Sequence, residues 1–130
     1  MNGNGEEIIG FRLQKAANDL EAARALSTLG HYDAAMNRLY YAAFHAVSAL
    51  LFKQDIKHKA HSGAKTMFEL HFVKTGLMAV KWGKFYASLF HDRNDSDYED
   101  FAVFTADDVV PLIPETDEFI GLIKALIQEN

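Results

Sequence analysis

The feature that most constrains this chain is an apolar stripe of helical period running from Tyr32 to about Lys53. Met36, Tyr40, Ala43, Val47 and Leu50 recur three or four residues apart, and Leu39, Phe44 and Leu51 widen the stripe. Only an α-helix gathers positions spaced this way onto one face. Ala42, Ala43 and Ala46 lie on or beside that face, and their small side chains let a neighbouring helix approach closely. A second row, Arg38, Tyr41, His45 and Ser48, runs alongside at the same spacing. A polar row beside a core stripe is solvated, hydrogen-bonded inside the fold, or used. The favoured reading is an internal or dimer-interface hydrogen-bond row, with a ligand pocket as the second.

The same period recurs along the chain. From about Glu6 to Leu29, the residues Ile9, Leu13, Ala16, Leu20, Ala23 and Leu26 form one face, and Gly30 is placed to stop that helix. Lys53 to His61 reads as a polar loop. Ser62 is the expected N-cap of a short helix through Val73, with Ala64, Met67, Phe68 and His71 on one side. A further helix is expected over about 77–91, with Met78, Trp82, Phe85 and Leu89 on its apolar face and Arg93 one step beyond. Asn94 to Phe104 reads as an acidic turn. Thr105 is the expected N-cap of a short turn near 106–110, and Pro111 and Pro114 should break the pattern before a last helix to Gln128. With no alternating β pattern of useful length, these segments predict an all-α, up-and-down antiparallel bundle of four to five helices, one domain over residues 1–130.

Composition narrows the functional classes. No apolar run reaches the roughly 20 residues that span a bilayer, and Glu6 and Glu7 stand where a signal peptide carries basic residues. A cytoplasmic protein with no membrane partner is expected. The absence of cysteine excludes disulfides and thiolate metal sites. His58 and His61, three apart in a loop, are a weak metal pair, so neither metal nor cofactor is expected. The net charge of −5 argues against a general nucleic-acid binder, yet it is unevenly spread. Residues 53–93 hold eight Lys/Arg against three acids, and residues 94–130 hold one Lys against ten acids. The basic stretch either meets the acidic tail of its own chain, the favoured reading, or attracts phosphate or a partner.

Two stretches carry the remaining chemical content: Asn37 to His45 on the central helix, and Arg93 to Tyr98 at the end of a later one. Arg38-Leu-Tyr-Tyr-Ala-Ala-Phe-His45 resembles the Tyr-Tyr-Ala helix of HEPN domains, a family of small helical bundles that often dimerise. Lys59-Ala-His61 and Phe72-Val-Lys-Thr-Gly76 resemble its middle, and Arg93-x-x-x-Asp97-Tyr98 resembles the Arg…Asp-Tyr ending of one branch. The resemblance spans about residues 8–127. It implies nucleic-acid-linked work: many members are metal-independent ribonucleases, often toxins restrained by a partner, and some pair with small nucleotidyltransferases. The nuclease members place a histidine after an arginine with four to six residues between them, and two copies of the pair face each other across a dimer.

Here the positions after Arg93 that would hold that histidine are Tyr98, Glu99 and Asp100, none of which replaces an imidazole near neutral pH. The resulting expectation is a non-catalytic, homodimeric module of a toxin–antitoxin or defence-type system that binds a nucleotide, RNA or a partner protein. Arg38, Tyr41, His45, Lys59, His61, Arg93, Asp97 and Tyr98 are its candidate residues. Two alternatives stay open. One is an active ribonuclease toxin that uses Arg93 with a displaced acid/base group, His61 or His91. The other is an interaction partner of a nucleotidyltransferase. The bland account of Arg93 is a local ion pair with Asp95 or Asp97.

Overall fold

In a computed structural model, the backbone is described for residues 3–98 and 103–129, and side chains for 5–93 and 103–129. The described residues form helices α1 (Gly3–Thr28), α2 (Tyr32–Lys53), α3 (Ala60–Phe68), α4 (Val80–Tyr98), the single turn α5 (Ala106–Val109) and α6 (Leu112–Gln128). A π-helical turn, Glu69–Val73, extends α3. The architecture is all-α.

The central helix occupies the bounds its periodicity predicts, and the core is arranged around it. Met36, Leu39, Tyr40, Val47, Leu50 and Leu51 are almost completely buried. It packs on α1 along one side and on α4 and α6 along others. Ala16 and Ala23 of α1 and Ala42, Ala43 and Ala46 of α2 are fully buried, the small side chains that close helix approach requires. The α1–α2 connection is short because Gly30, at φ +82°, takes the left-handed conformation. The Gly30 N–H then donates to the Ser27 carbonyl at 3.0 Å and the His31 N–H to Leu26 at 2.9 Å, satisfying two carbonyls at the helix end. Asp55, at φ +57°, closes α2 the same way, with Ile56 N–H donating to Leu51.

Four local expectations are corrected. The third helix begins at Ala60, capped from Lys59, so Ser62 lies within its first turn. The Lys74 N–H reaches back five residues to Glu69 at 2.8 Å, which defines the π turn. That wider turn shifts the helical phase, so Phe72 takes the core position below Phe68 and His71 faces outward. α4 starts at Val80 and continues through Tyr98, so residues 94–98, the first part of the stretch expected as a turn, are helical, and residues 99–102 lie outside the described residues. The last helix begins at Leu112, before Pro114, because a proline in the first turn occupies a position whose N–H has no intrahelical acceptor. Thr105 does begin α5: its N–H and hydroxyl both donate to Asp108, at 2.9 and 3.1 Å.

Candidate functional site

The site grows out of α2. Tyr40 and Tyr41 are adjacent in sequence but about 100° apart around the helix, so Tyr40 is fully buried while Tyr41 keeps an exposed edge. Tyr40 stacks on Tyr86 of α4 with centroids 6.1 Å apart and meets Phe90 edge-on at the same distance. This aromatic cluster holds α4 against α2 and sets where Arg93, one turn after Phe90, can reach. The Arg93 guanidinium lies 5.0 Å from the Tyr40 ring centroid and 5.8 Å from that of Tyr41. Its Nη1 donates to the Tyr41 hydroxyl at 3.4 Å.

His61 arrives from the start of α3. Its Nδ1 is 2.9 Å from the Tyr40 hydroxyl, and its ring packs against Phe44 at 4.3 Å and Tyr41 at 5.5 Å. Burial pushes the Tyr40 phenol up to about 12, so it keeps its proton. The contact fits either tautomer of the neutral His61 ring: with the phenol donating to Nδ1 the ring proton is on Nε2, and with Nδ1–H donating to the phenol oxygen Nε2 is a free acceptor. Burial first, and then the positive charge of Arg93, lower the His61 pKa below its ordinary 6.5. Tyr86, buried beside Tyr40, is pushed well above the tyrosine range by burial and by that neighbouring phenol.

The outer row has a different anchor. Asp19 of α1 accepts from Arg38 at 2.9 Å through one oxygen and lies 3.4 Å from His45 Nε2 through the other. Arg38 also covers the Tyr41 ring, with its guanidinium 4.9 Å from the centroid, and donates to Asn37 at 2.8 Å. Burial lowers the His45 pKa, against the opposing effect of the Asp19 carboxylate. Tyr41 is thus contacted by two guanidinium groups, one from α2 and one from α4.

The structure brings Arg38, Tyr41, His45, His61 and Arg93 together. Lys59 caps α3 but is exposed. Asp97 and Tyr98 lie on the α4 backbone, and their side chains, like that of Asp95, lie outside the described residues. Asp19, Tyr86 and Phe90 were not singled out from sequence, and Phe44 was read only as part of the apolar stripe and its motif. Tyr86 and Phe90 could have been, since they continue the α4 apolar face from Trp82 at spacings of four. Asp19 gives no such signal, because only packing of α1 on α2 places it. Among the described residues, no three His, Asp or Glu side chains gather as metal ligands, and no helix is long and apolar enough to cross a membrane. None of the lysines of residues 53–93 has an ion pair with an acid of residues 103–129 among the described residues.

A HEPN domain model matches residues 9–126. The chain belongs to the HEPN family. A UPF0332 protein from Thermotoga maritima is 35% identical over 95% of this chain and 94% of its own length. Two proteins from Methanocaldococcus jannaschii, each named a "putative toxin", are also similar. One is 30% identical over 99% of this chain and 96% of its own length. The other is 36% identical over 67% of this chain and 59% of its own.

The Arg93–His61 proximity predicts a titration. The histidine ring resonances of His61, followed by NMR, should show a midpoint below 6.5, and in Arg93→Ala the midpoint should rise, though not fully, because burial remains. An unchanged midpoint would separate the two side chains. Stability follows the same sign. Between the lowered native value and 6.5 the unfolded chain binds a proton that the folded chain does not. Stability contributed by neutral His61 and His45 is therefore present above about pH 6.5 and falls as the pH drops toward their native values.

Proposed function

We propose that this chain is a toxin-type HEPN module that binds single-stranded RNA, with a phosphate held between Arg93 and His61 beside Tyr41. The observation that carries this reading is the convergence of Arg93, from late α4, and His61, from the start of α3, on the same tyrosine pair. Arg93 supplies a cation that does not titrate. His61 supplies a neutral donor or acceptor at Nε2, and Tyr41 an aromatic edge, so that with the cation there are three kinds of contact that a nucleotide uses. The names of the archaeal relatives support the toxin-type role. A second copy of the chain and a nucleotidyltransferase-type protein, the partners implied by the family resemblance, belong to the same proposal.

A second reading is favoured by one further observation: His61 is neutral near pH 7 and lies beside a fixed positive charge. In a ribonuclease of this kind, His61 would use the tautomer in which Nδ1–H donates to Tyr40, and its free Nε2 would remove the proton of a ribose 2′-OH. That oxygen would then attack the adjacent phosphorus, and the P–O5′ bond would break to leave a 2′,3′-cyclic phosphate and, after protonation, a 5′-hydroxyl. Arg93 would stabilise the charge on the phosphorane.

Fluorescence anisotropy with a labelled single-stranded RNA and the same-sequence DNA, together with gel analysis of the RNA, tests both readings. Binding should weaken about tenfold in His61→Ala, the size of a lost hydrogen bond to a charged group. RNA affinity equal in wild type and His61→Ala overturns the site. Intact RNA after prolonged incubation, with binding retained, leaves the module non-catalytic.

A further inference from the structure

A groove of about 630 Å³ lies on another face of the molecule, between the π turn and the first half of α4. Leu70, Val73 and Val80 contribute its apolar surface, and Leu70 and Val80 are 46% and 60% exposed. Gly83 shapes the floor, since a Cβ there would lie 3.1 Å from a Val73 methyl. Lys74, at the end of the π turn, and Lys84, of α4, also line it. Neither has a carboxylate within ion-pair distance among the described residues, whereas the one acid of the lining, Glu69, is held by Lys65 at 3.0 Å. The result is an apolar trough with two uncompensated cations in a chain whose net charge is −5.

We infer that this groove docks an acidic amphipathic helix of a partner protein, its apolar residues seated on Leu70, Val73 and Val80 and its carboxylates paired with Lys74 and Lys84. Helices are recognised this way, by apolar anchors at helical spacing with charge fixing the register. Other occupants fit less well. A second copy docked symmetrically would set the same lysines against each other. A nucleic acid would find no aromatic ring in the lining to stack a base upon, and would meet the Glu69 carboxylate. The place of the groove matters as much as its chemistry. It spans the two elements that carry the candidate site: α3 with its π turn, which holds His61 in its first turn, and α4, which reaches Arg93. Ala87, also in the lining, is ~9 Å along α4 from Arg93. A helix lodged there clamps α3 against α4 and so fixes the separation of His61 and Arg93.

The inference does not depend on what Arg93 and His61 bind. It is tested with a synthetic helical peptide of about 16 residues carrying leucines at i, i+3 and i+7 and glutamates elsewhere, and a counterpart with lysines in place of the glutamates. The acidic peptide is expected to bind the full chain and to weaken with added salt, and the basic one to bind at least tenfold more weakly. The exposed pair of substitutions Lys74→Glu and Lys84→Glu should reverse that order, and Leu70→Glu should weaken both peptides. Arg93→Ala should leave peptide affinity unchanged, which keeps this result separate from the RNA reading. Equal binding of the two peptides, or an order that survives the charge reversal, overturns the proposal. So does a loss of RNA affinity on charge reversal, which would mark a nucleic-acid track, or wild-type self-association that Leu70→Glu disperses, which would mark a contact between copies.

Discussion

Arg93→Ala is expected to lower the affinity for single-stranded RNA by about 10- to 100-fold while the protein stays folded. The size follows from the contacts a phosphate would lose, because hydrogen bonds to a charged group contribute about 1.5–3 kcal/mol each. The fold is expected to survive because the cation–π contacts of Arg93 with Tyr40 and Tyr41 contribute about 0.5–2 kcal/mol, against a total near 5–15 kcal/mol for a domain. Arg93→Lys separates charge from shape. It keeps the cation but loses the planar guanidinium over the ring, so its affinity should fall between those of wild type and alanine. Binding measured at several salt concentrations should show a shallower salt dependence for Arg93→Ala, by about one counterion. An alanine variant with wild-type affinity and wild-type salt dependence would remove Arg93 from the site.

The largest stability effect is expected at Phe119. This α6 side chain is fully buried, with Phe68, Trp82, Phe85 and Tyr86 within 5.9 Å, centroid to centroid. It joins α6 to α3 and α4 through one aromatic cluster. Truncation to alanine removes the apolar surface and leaves a cavity that rings of this size cannot fill by small shifts, at a cost of about 3–5 kcal/mol. For a chain of this length that corresponds to a melting temperature lower by roughly 10–20 °C. Leu122, on the same helix but 37% exposed, should cost no more than about 1 kcal/mol on the same change. Urea unfolding of both variants with a shared m-value checks the pair. A Phe119→Ala loss as small as that of Leu122→Ala would displace α6 from the core. The same variant also tests whether the site depends on the core, since Phe119 supports Tyr86 and Tyr86 supports Tyr40.

The sequence by itself determined the helices. Their 3.6-residue period, the Gly30 stop, the Thr105 cap and the bounds of α2 all come from interactions within a few residues along the chain, and such interactions are written in local order. The HEPN resemblance was legible for the same reason, since the Tyr-Tyr-Ala helix and the Arg93 region are contiguous strings. The extension of α4 past Arg93 was not legible, because an acidic, polar stretch has no apolar stripe to mark it as helical. Nor was the phase shift at the π turn, which moved Phe72 inward and His71 outward through a single extra residue.

Only the tertiary structure decided the site. A histidine sought at positions 98–100, with four to six residues between it and Arg93, is missing from the sequence, yet His61 reaches the same tyrosine pair because α3 and α4 both pack on α2. Asp19 draws Arg38 and His45 to itself only because alanines let α1 lie close to α2. Such convergences depend on how helices cross, which is set by the summed packing of side chains distant in sequence. The central helix built the fold from its own pattern, and its neighbours determined which groups stand beside Tyr40 and Tyr41.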